Sequence, residues 1–188
     1  MEIRLLTPAD ATNYWALRLE ALKNHPEAFL TSYEESVIRE NAVEQTARNL
    51  TAEGNYTFGA FDQDELIGVV TLIQEERMKI RHRANIFAMY VTPSRRGLGA
   101  GKALMTAAIQ KAKDVRGVEQ INLNVTASNH SAKQLYTQFG FQEFALEKNA
   151  LKINGKYYDD VYMVLHLNNI GNSLLREQDT NHDNSNNE

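Results

Sequence analysis

Cysteine is absent from this chain of 188 residues. That absence excludes a disulfide framework, a zinc-thiolate site and a thiol nucleophile together. Excess positive charge is missing too: the net charge is -4, which leaves no electrostatic footprint for DNA or RNA, so nucleic acid is not expected as a partner. The five histidines, His25, His82, His130, His166 and His182, lack the i, i+4 spacing of a metal-binding helix, and no metal site is expected. No apolar run approaches the ~18 residues of a membrane span. The opening "MEIRLLTPAD" is polar by its tenth residue and has no signal-peptide core, so a cytoplasmic protein that does not engage membranes is expected. Internal repeats are lacking as well. What remains is an ordinary globular composition, 43% hydrophobic and 23% charged, long enough for one domain with a sizeable core.

Along the chain, "EIRLLT" alternates like a short strand, and Asp10 stands where an N-cap would start the helix "ATNYWALRLEALKNH". Residues 33–52 are polar, rich in Glu and Arg and good at forming helix. They predict one or two exposed helices better suited to flanking a site than to building a core. "NYTFGAFD" and "ELIGVVTLIQEE", separated by "QD", predict an antiparallel hairpin, and "ANIFAMYVT" a third strand ended by Pro93. Leu104, Met105, Ala108, Ile109 and Ala112 recur at helical spacing from about Gly99 to Val115, with Gly117 as the stop. "EQINLNVTA" reads as a strand and "NHSAKQLYTQF" as a helix capped by Asn129 and ended by Gly140. "FQEFALEKNALKI" and "YYDDVYMVLHL" predict a last hairpin turning at Asn154-Gly155. From residue 168 the chain is Asn-rich and polar, and 168–188 is expected to be a disordered tail to a domain of 1–167. Strands interleaved with helices predict a mixed α/β domain around one sheet.

The stretch "YVTPSRRGLGAGKALM", 90–105, places glycines and basic residues between a strand and a helix. Such a junction aims free backbone N–H groups at one point, where the helix dipole adds positive potential. Gly97, Gly99 and Gly101 allow close approach of a diphosphate, with Arg95, Arg96 and Lys102 at the rim. The same glycines also suit a plain strand-to-helix turn with solvated basic neighbours. The dinucleotide fingerprint G-x-G-x-x-G fails, because Lys102 stands where its third glycine belongs. The P-loop pattern fails at Arg96 and Ala103. "RGLGAG", 96–101, does satisfy R-x-x-G-x-G. Downstream, Asn129, Ala132, Leu135, Tyr136, Gly140 and Phe141 satisfy N-x-x-A-x-x-L-Y-x-x-x-G-F. Asn129 and Tyr136, seven apart, return to nearly the same helix face.

With both motifs in order, the sequence resembles the GCN5-related N-acetyltransferases (GNAT). The resemblance implies an α+β fold, a single mixed, mostly antiparallel sheet flanked by helices. It implies acetyl-coenzyme A as cosubstrate and direct attack by a primary amine of a small molecule or peptide in a ternary complex. A homodimer is common in the family. The pyrophosphate cradle then falls to Arg96, Gly97, Leu98, Gly99, Ala100, Gly101 and Lys102, with Asn129 beside it. Backbone N–H groups of Met89, Tyr90 and Val91 fall to the pantetheine arm and acetyl carbonyl. Tyr136 takes the role of general acid, since a phenol with a pKa near ~10 is protonated at neutral pH. The base stays unassigned among Glu75, Glu76, Asp159 and Asp160, each of which also reads as solvated surface charge. Glu34, Glu35, Glu40 and Glu44 would favour a cationic amine if they lined the acceptor site, and otherwise form an exposed helix face. Tyr157 and Tyr158 either border the acceptor or follow from β-propensity alone. A non-catalytic acyl-coenzyme A sensor on the same fold is the competing reading.

Overall fold

Seven β-prone stretches become strands and five amphipathic or polar ones become helices in the computed structural model, which describes residues 1–167. The tail expected from residue 168 lies outside the described residues. In chain order the elements are β1 (Glu2–Leu5), α1 (Ala11–Asn24), α2 (Tyr33–Val37), α3 (Ala42–Asn49), β2 (Asn55–Asp62), β3 (Glu65–Gln74) and β4 (Arg83–Val91). They continue with α4 (Ala100–Asp114), β5 (Gln120–Thr126), α5 (His130–Gln138), β6 (Gln142–Ile153) and β7 (Lys156–His166). Among the described residues no helix is long and apolar enough to cross a membrane.

The strands form one sheet in the order β1-β2-β3-β4-β5-β7-β6. Every neighbouring pair is antiparallel except β4 and β5, so the sheet is mixed and mostly antiparallel as expected. Both two-residue hairpins turn through left-handed backbone, at Gln63 and Asp64 (φ 47° and 69°) and at Asn154 and Gly155 (φ 49° and 80°). That geometry matches the twist of the flanking strands.

Helices cover both faces. On one, Leu17 and Ala21 of α1 pack on Leu6, Phe61, Leu66, Val69 and Tyr90. On the other, Leu104, Met105, Ala108 and Ala112 of α4 are buried with Val70, Leu72, Ile86 and Ile121. The apolar spacing read along 99–115 is thus the buried stripe of α4.

Asp10 precedes α1 but does not cap it with its side chain. Its carboxylate instead accepts from the Thr7 amide at 2.7 Å and hydroxyl at 2.9 Å, and pairs with Arg4 through two nitrogens at 2.8 and 2.9 Å. The bidentate guanidinium offers more than a helix amide, so the carboxylate turns back to close the preceding turn. This pairing, led by the Arg4 hydrogen bonds, holds Asp10 well below the usual carboxylate range.

Candidate active site

The parallel pairing of β4 with β5 lasts three residues, Arg83, Ala84 and Asn85 against Gln120, Ile121 and Asn122. Beyond it the strands part. A bulge helps to turn β4 away: between Val69–Tyr90 and Thr71–Phe87, one residue of β3, Val70, faces two of β4, Ala88 and Met89, and Ala88 sits at φ 52°. An extra residue bends its strand and sharpens the local twist. The gap continues into a cleft of about 1220 Å³ lined by residues of α1, α3, β4, α4, β5, α5 and the segment 25–31.

Met89, Tyr90 and Val91 all line this cleft, but their backbones divide. Thr92 donates to Ile67 on the β3 side at 2.9 Å, and the Tyr90 carbonyl lies against Gly68 of β3. Backbone groups of successive residues face opposite neighbours, so Met89 and Val91 turn theirs toward the gap and Tyr90 does not. Tyr90 contributes its ring instead, with its hydroxyl donating to Glu20 at 2.9 Å.

The glycine turn follows. Gly97 and Gly99 have φ of 79° and 84°, and a Cβ on either would meet nothing within 4 Å. They combine left-handed backbone with open space, the condition under which backbone amides can receive a bulky anion. Gly101 differs: its Cβ would press on Met89 Cε at 3.3 Å and Leu135 Cδ2 at 3.4 Å, so it permits close packing of α4. Helix α4 has no side-chain cap at Gly99. Its hydrogen-bond ladder opens with Ala103 N–H to the Gly99 carbonyl at 3.0 Å, and the amides of Ala100, Gly101 and Lys102 stand ahead of that bond. Leu98, between Gly97 and Gly99, is 65% exposed and does not line the cleft.

The rim charges separate as well. Arg95 pairs with Asp62 at 3.0 Å and Glu65 at 3.2 Å, so its charge is already matched. Arg96 donates through Nε to the Val91 carbonyl at 3.0 Å and shares a 2.9 Å bond with His25 Nε2. Lys102 is exposed at the cleft.

Across the opening, Asn129 caps α5, its side-chain oxygen accepting from Ala132 N–H at 3.2 Å. Tyr136 is 6% exposed yet lines the cleft, packed against Phe141 with ring centroids 6.0 Å apart. Burial alone pushes its hydroxyl up to about 12.

At the far end the structure redistributes the sequence expectations. Glu34, Glu35, Glu40 and Glu44 are exposed and outside the cleft; the polar face of these short helices points to solvent. Arg39, Gln45 and Asn49 line it instead. Tyr157 and Tyr158 also lie outside, stacked under Lys152 and Lys156 at 4.9 and 4.8 Å. Of the four base candidates, Glu75 accepts from Asn85 at 2.8 Å, Glu76 is exposed and Asp159 pairs with Lys148 at 2.8 Å. Asp160 is no surface charge: it is 5% exposed, lines the cleft and accepts through Oδ2 from Asn124 at 2.7 Å. Its other oxygen has no hydrogen-bond partner. Arg18, unnoticed in the sequence, lines the same end, with its guanidinium 4.4 Å from the Phe29 ring centroid. Its spacing could have revealed it, since it follows Tyr14 by one helical turn beside the Leu17 and Ala21 stripe.

Comparison with known proteins reaches the same architecture. A family model described as the acetyltransferase (GNAT) family matches residues 15–141. A ribosomal protein alanine N-acetyltransferase of Haemophilus ducreyi is 31% identical over 110 residues, 56% of this chain and 70% of that protein. A mycothiol acetyltransferase of Salinispora tropica is 31% identical over 85 residues, 45% of this chain and 28% of that protein. The chain therefore spans under a third of that relative's length, and about half (48%) of a Bacillus subtilis relative that is 33% identical. Among solved structures, a GNAT acetyltransferase of Streptococcus pneumoniae superposes with a TM-score of 0.78 at 21% identity, covering 88% of this chain and 99% of that one. A Salmonella typhimurium protein solved with its cofactor acetyl-CoA gives 0.75 at 20% identity, covering 89% and 94%.

Proposed function

From the premise that the chain belongs to the GNAT acetyltransferase family, we propose that it transfers the acetyl group of acetyl-coenzyme A to a primary amine of a small molecule or peptide. The observation that carries this reading is the gap between β4 and β5. It joins the open turn at Gly97 and Gly99 to the Tyr136 hydroxyl and to a separate polar end.

Acetyl-coenzyme A supplies the activated acetyl group. The cradle fits its diphosphate, because the two positive-φ glycines leave room where side chains would intrude and the amides of 97–102 precede the helix ladder. Lys102 adds a full charge at the rim, and Arg96, locked to Val91 and His25, adds one in a fixed direction. The gap-facing amides of Met89 and Val91 are placed to orient the acyl arm and to carry negative charge that grows on a carbonyl oxygen. Asn129, its oxygen held by the cap, has its amide nitrogen left to donate. Tyr136 Oη keeps its proton through the physiological range and can hand it to a departing sulfur. That hydroxyl supports a catalytic role over a sensor, since binding alone gives no use for a buried proton donor facing the cleft.

The test is release of free coenzyme A on mixing protein, acetyl-coenzyme A and a broad panel of amines. Amine-dependent, saturable release is expected. Saturable coenzyme A binding without turnover on any amine, unchanged by Tyr136→Phe, would leave the sensor reading in its place.

The homodimer implied by the family resemblance would pair through the edge strand β6. This edge strand pairs with β7 on one side alone, and Phe144 and Leu146 are 60% and 52% exposed. A long open edge with apolar side chains invites pairing. Sedimentation equilibrium is expected to give twice the chain mass, and a monomer at high protein concentration would remove the dimer.

A further inference from the structure

The sheet face under α1 changes character along its length. Around Leu17 and Ala21 it is apolar, built on Phe61, Leu66 and Val69. Beyond Val69 it carries hydroxyls: Thr57 and Thr71 stand directly opposite each other on β2 and β3, 4% and 6% exposed, with their oxygens 2.9 Å apart. Asn55 accepts from Thr57 at 3.3 Å. Above them lies a cavity of about 180 Å³, closed from the helix side by Tyr14 of α1 and by Thr46 and Asn49 of α3. It opens off the main cleft beside Ala88, the small residue of the β4 bulge, since Ala88, Tyr14, Thr46 and Asn49 line both spaces.

Its chemistry is narrow. Tyr14, Thr46, Asn49, Asn55, Thr57 and Thr71 line it with hydroxyls and amides, and no charged side chain does. Several of these groups have capacity to spare. The Asn49 oxygen accepts from Gln45 at 3.0 Å and the Asn55 oxygen from Thr57, which leaves both amide nitrogens without an acceptor among the described residues. Thr46 is 7% exposed and its hydroxyl also has no partner there, yet it is not sealed off. The one occluded side-chain atom without a partner among the described residues is Asp160 Oδ1.

Unpaired donors and acceptors around an uncharged cavity select a guest that can pair with them. A hydrocarbon group would strip them of water and return nothing, a carboxylate would meet no cation, and a second ammonium no carboxylate. At about 30 Å³ for each water-sized group, the space takes about six non-hydrogen atoms. Its mouth also adjoins the place of transfer. Ala88 is one residue, about 3.8 Å of chain, from Met89, whose backbone turns to the gap between β4 and β5. Resting on the acetyltransferase reading above, we propose that the acceptor amine carries a neutral hydroxyl- or amide-bearing group of this size, which this side cavity receives.

The test uses primary amines that differ in the group they carry. Amino alcohols, glucosamine and β-alaninamide are the neutral polar probes, n-butylamine and cyclohexylmethylamine the apolar ones, and β-alanine and putrescine the charged ones. Each is titrated by calorimetry into the protein saturated with coenzyme A, and coenzyme A release is followed separately with acetyl-coenzyme A. At least one neutral polar probe is expected to bind and react about tenfold or more better than the apolar and charged ones. Thr57→Val with Thr71→Val removes both partners of the buried bond and keeps their shape, so the fold is retained. Asn49→Leu changes the exposed rim alone, and the coenzyme A Kd of each variant reports its folding. Comparing each probe between parent and variant cancels intrinsic amine reactivity, and both variants are expected to erase most of the polar advantage. Apolar or charged probes that bind and react as well as the polar ones overturn the inference and leave the acetyltransferase standing. A polar advantage that both variants leave intact overturns it too, and reduces the cavity to a hydrated void. Polar-selective binding that the variants abolish, without coenzyme A release, keeps the cavity as a binding site and overturns the activity. Neither binding nor release with any neutral polar probe overturns the inference without recourse to a variant.

Discussion

Arg96 Nε donates to the Val91 carbonyl at 3.0 Å, a bond that ties the glycine turn to the open edge of β4. The same guanidinium meets His25 Nε2 at 2.9 Å. A guanidinium only donates, so His25 accepts there and carries its proton on Nδ1, 3.6 Å from Glu27. Arg96 is thereby aimed by two elements before any ligand arrives. Lysine keeps the charge but cannot reproduce the fork. Arg96→Lys is expected to raise the coenzyme A Kd about tenfold, and Arg96→Gln up to about a hundredfold, consistent with ~1.5–3 kcal/mol for a charged hydrogen bond. Calorimetric titration measures both, and an unchanged Kd for Arg96→Gln would show that the guanidinium serves structure alone.

The three glycines of the turn are expected to fail differently. A Cβ at Gly99 has open space, so Gly99→Val loses about 1–2 kcal/mol from left-handed strain and still folds. Its side chain occupies the space a diphosphate needs, and coenzyme A affinity should fall below detection. Gly101→Val pushes instead into Met89 and Leu135, so its main effect should be a lowered Tm. Thermal melts alongside binding titrations separate the two. Equal binding losses at equal stability would contradict this division.

Stability at low pH should follow the Arg4 and Asp10 pair. The folded carboxylate sits well below its usual range, chiefly through the Arg4 hydrogen bonds and then those from Thr7. A depressed folded pKa contributes stability that is fully present above the unfolded value near ~3.9 and is lost as pH falls through the folded one. Asp10→Asn should therefore cost about 1–2 kcal/mol at pH 7, in the range for a partly exposed charged hydrogen bond. The gap to the unsubstituted protein should narrow below about pH 4. Denaturant melts from pH 7 to pH 2 check this, and a gap that stays constant with pH would refute the linkage.

How much of this was legible in the sequence depends on how locally each feature is encoded. The stripe through Leu104, Met105, Ala108 and Ala112, the turn at Asn154-Gly155 and the cap at Asn129 are written in neighbouring residues, and each formed where its spacing implied. The left-handed turn at Gly97 and Gly99 was legible for the same reason. The polar lining of the cleft was not, because Arg18, Phe29, Asn124 and Asp160 come from α1, a loop, β5 and β7 and come to one cleft only through the sheet order. Asp160 illustrates the difficulty. Its neighbour Asp159 faces out to Lys148, and the two are told apart by which side of β7 each occupies. The glutamates of 33–52 misled for the converse reason, since composition reveals a polar helix but not which way its polar face looks.

Tyr136→Phe isolates the proton donor. The ring stays, so the packing on Phe141 at 6.0 Å and the cover over the core are retained. The hydroxyl has no protein partner among the described residues, and burial alone moves its pKa to about 12. Removing it therefore breaks no internal hydrogen bond, and stability should be unchanged or slightly raised. Binding of coenzyme A depends on the amides of the turn and should also be unchanged. What remains to suffer is the protonation of the leaving sulfur, and general-acid catalysis of this kind is worth about 10²–10⁴-fold. The kcat should fall by about that factor with the KM for acetyl-coenzyme A nearly constant, the pattern of an interaction made mainly in the transition state. Because a phenol near 12 does not titrate in the working range, the alkaline limb of the pH-rate profile should not change on substitution. A kcat within threefold of the parent would assign the proton to another group, and an alkaline limb that vanishes in the variant would show that Tyr136 itself titrates in the working range, against its burial-raised pKa.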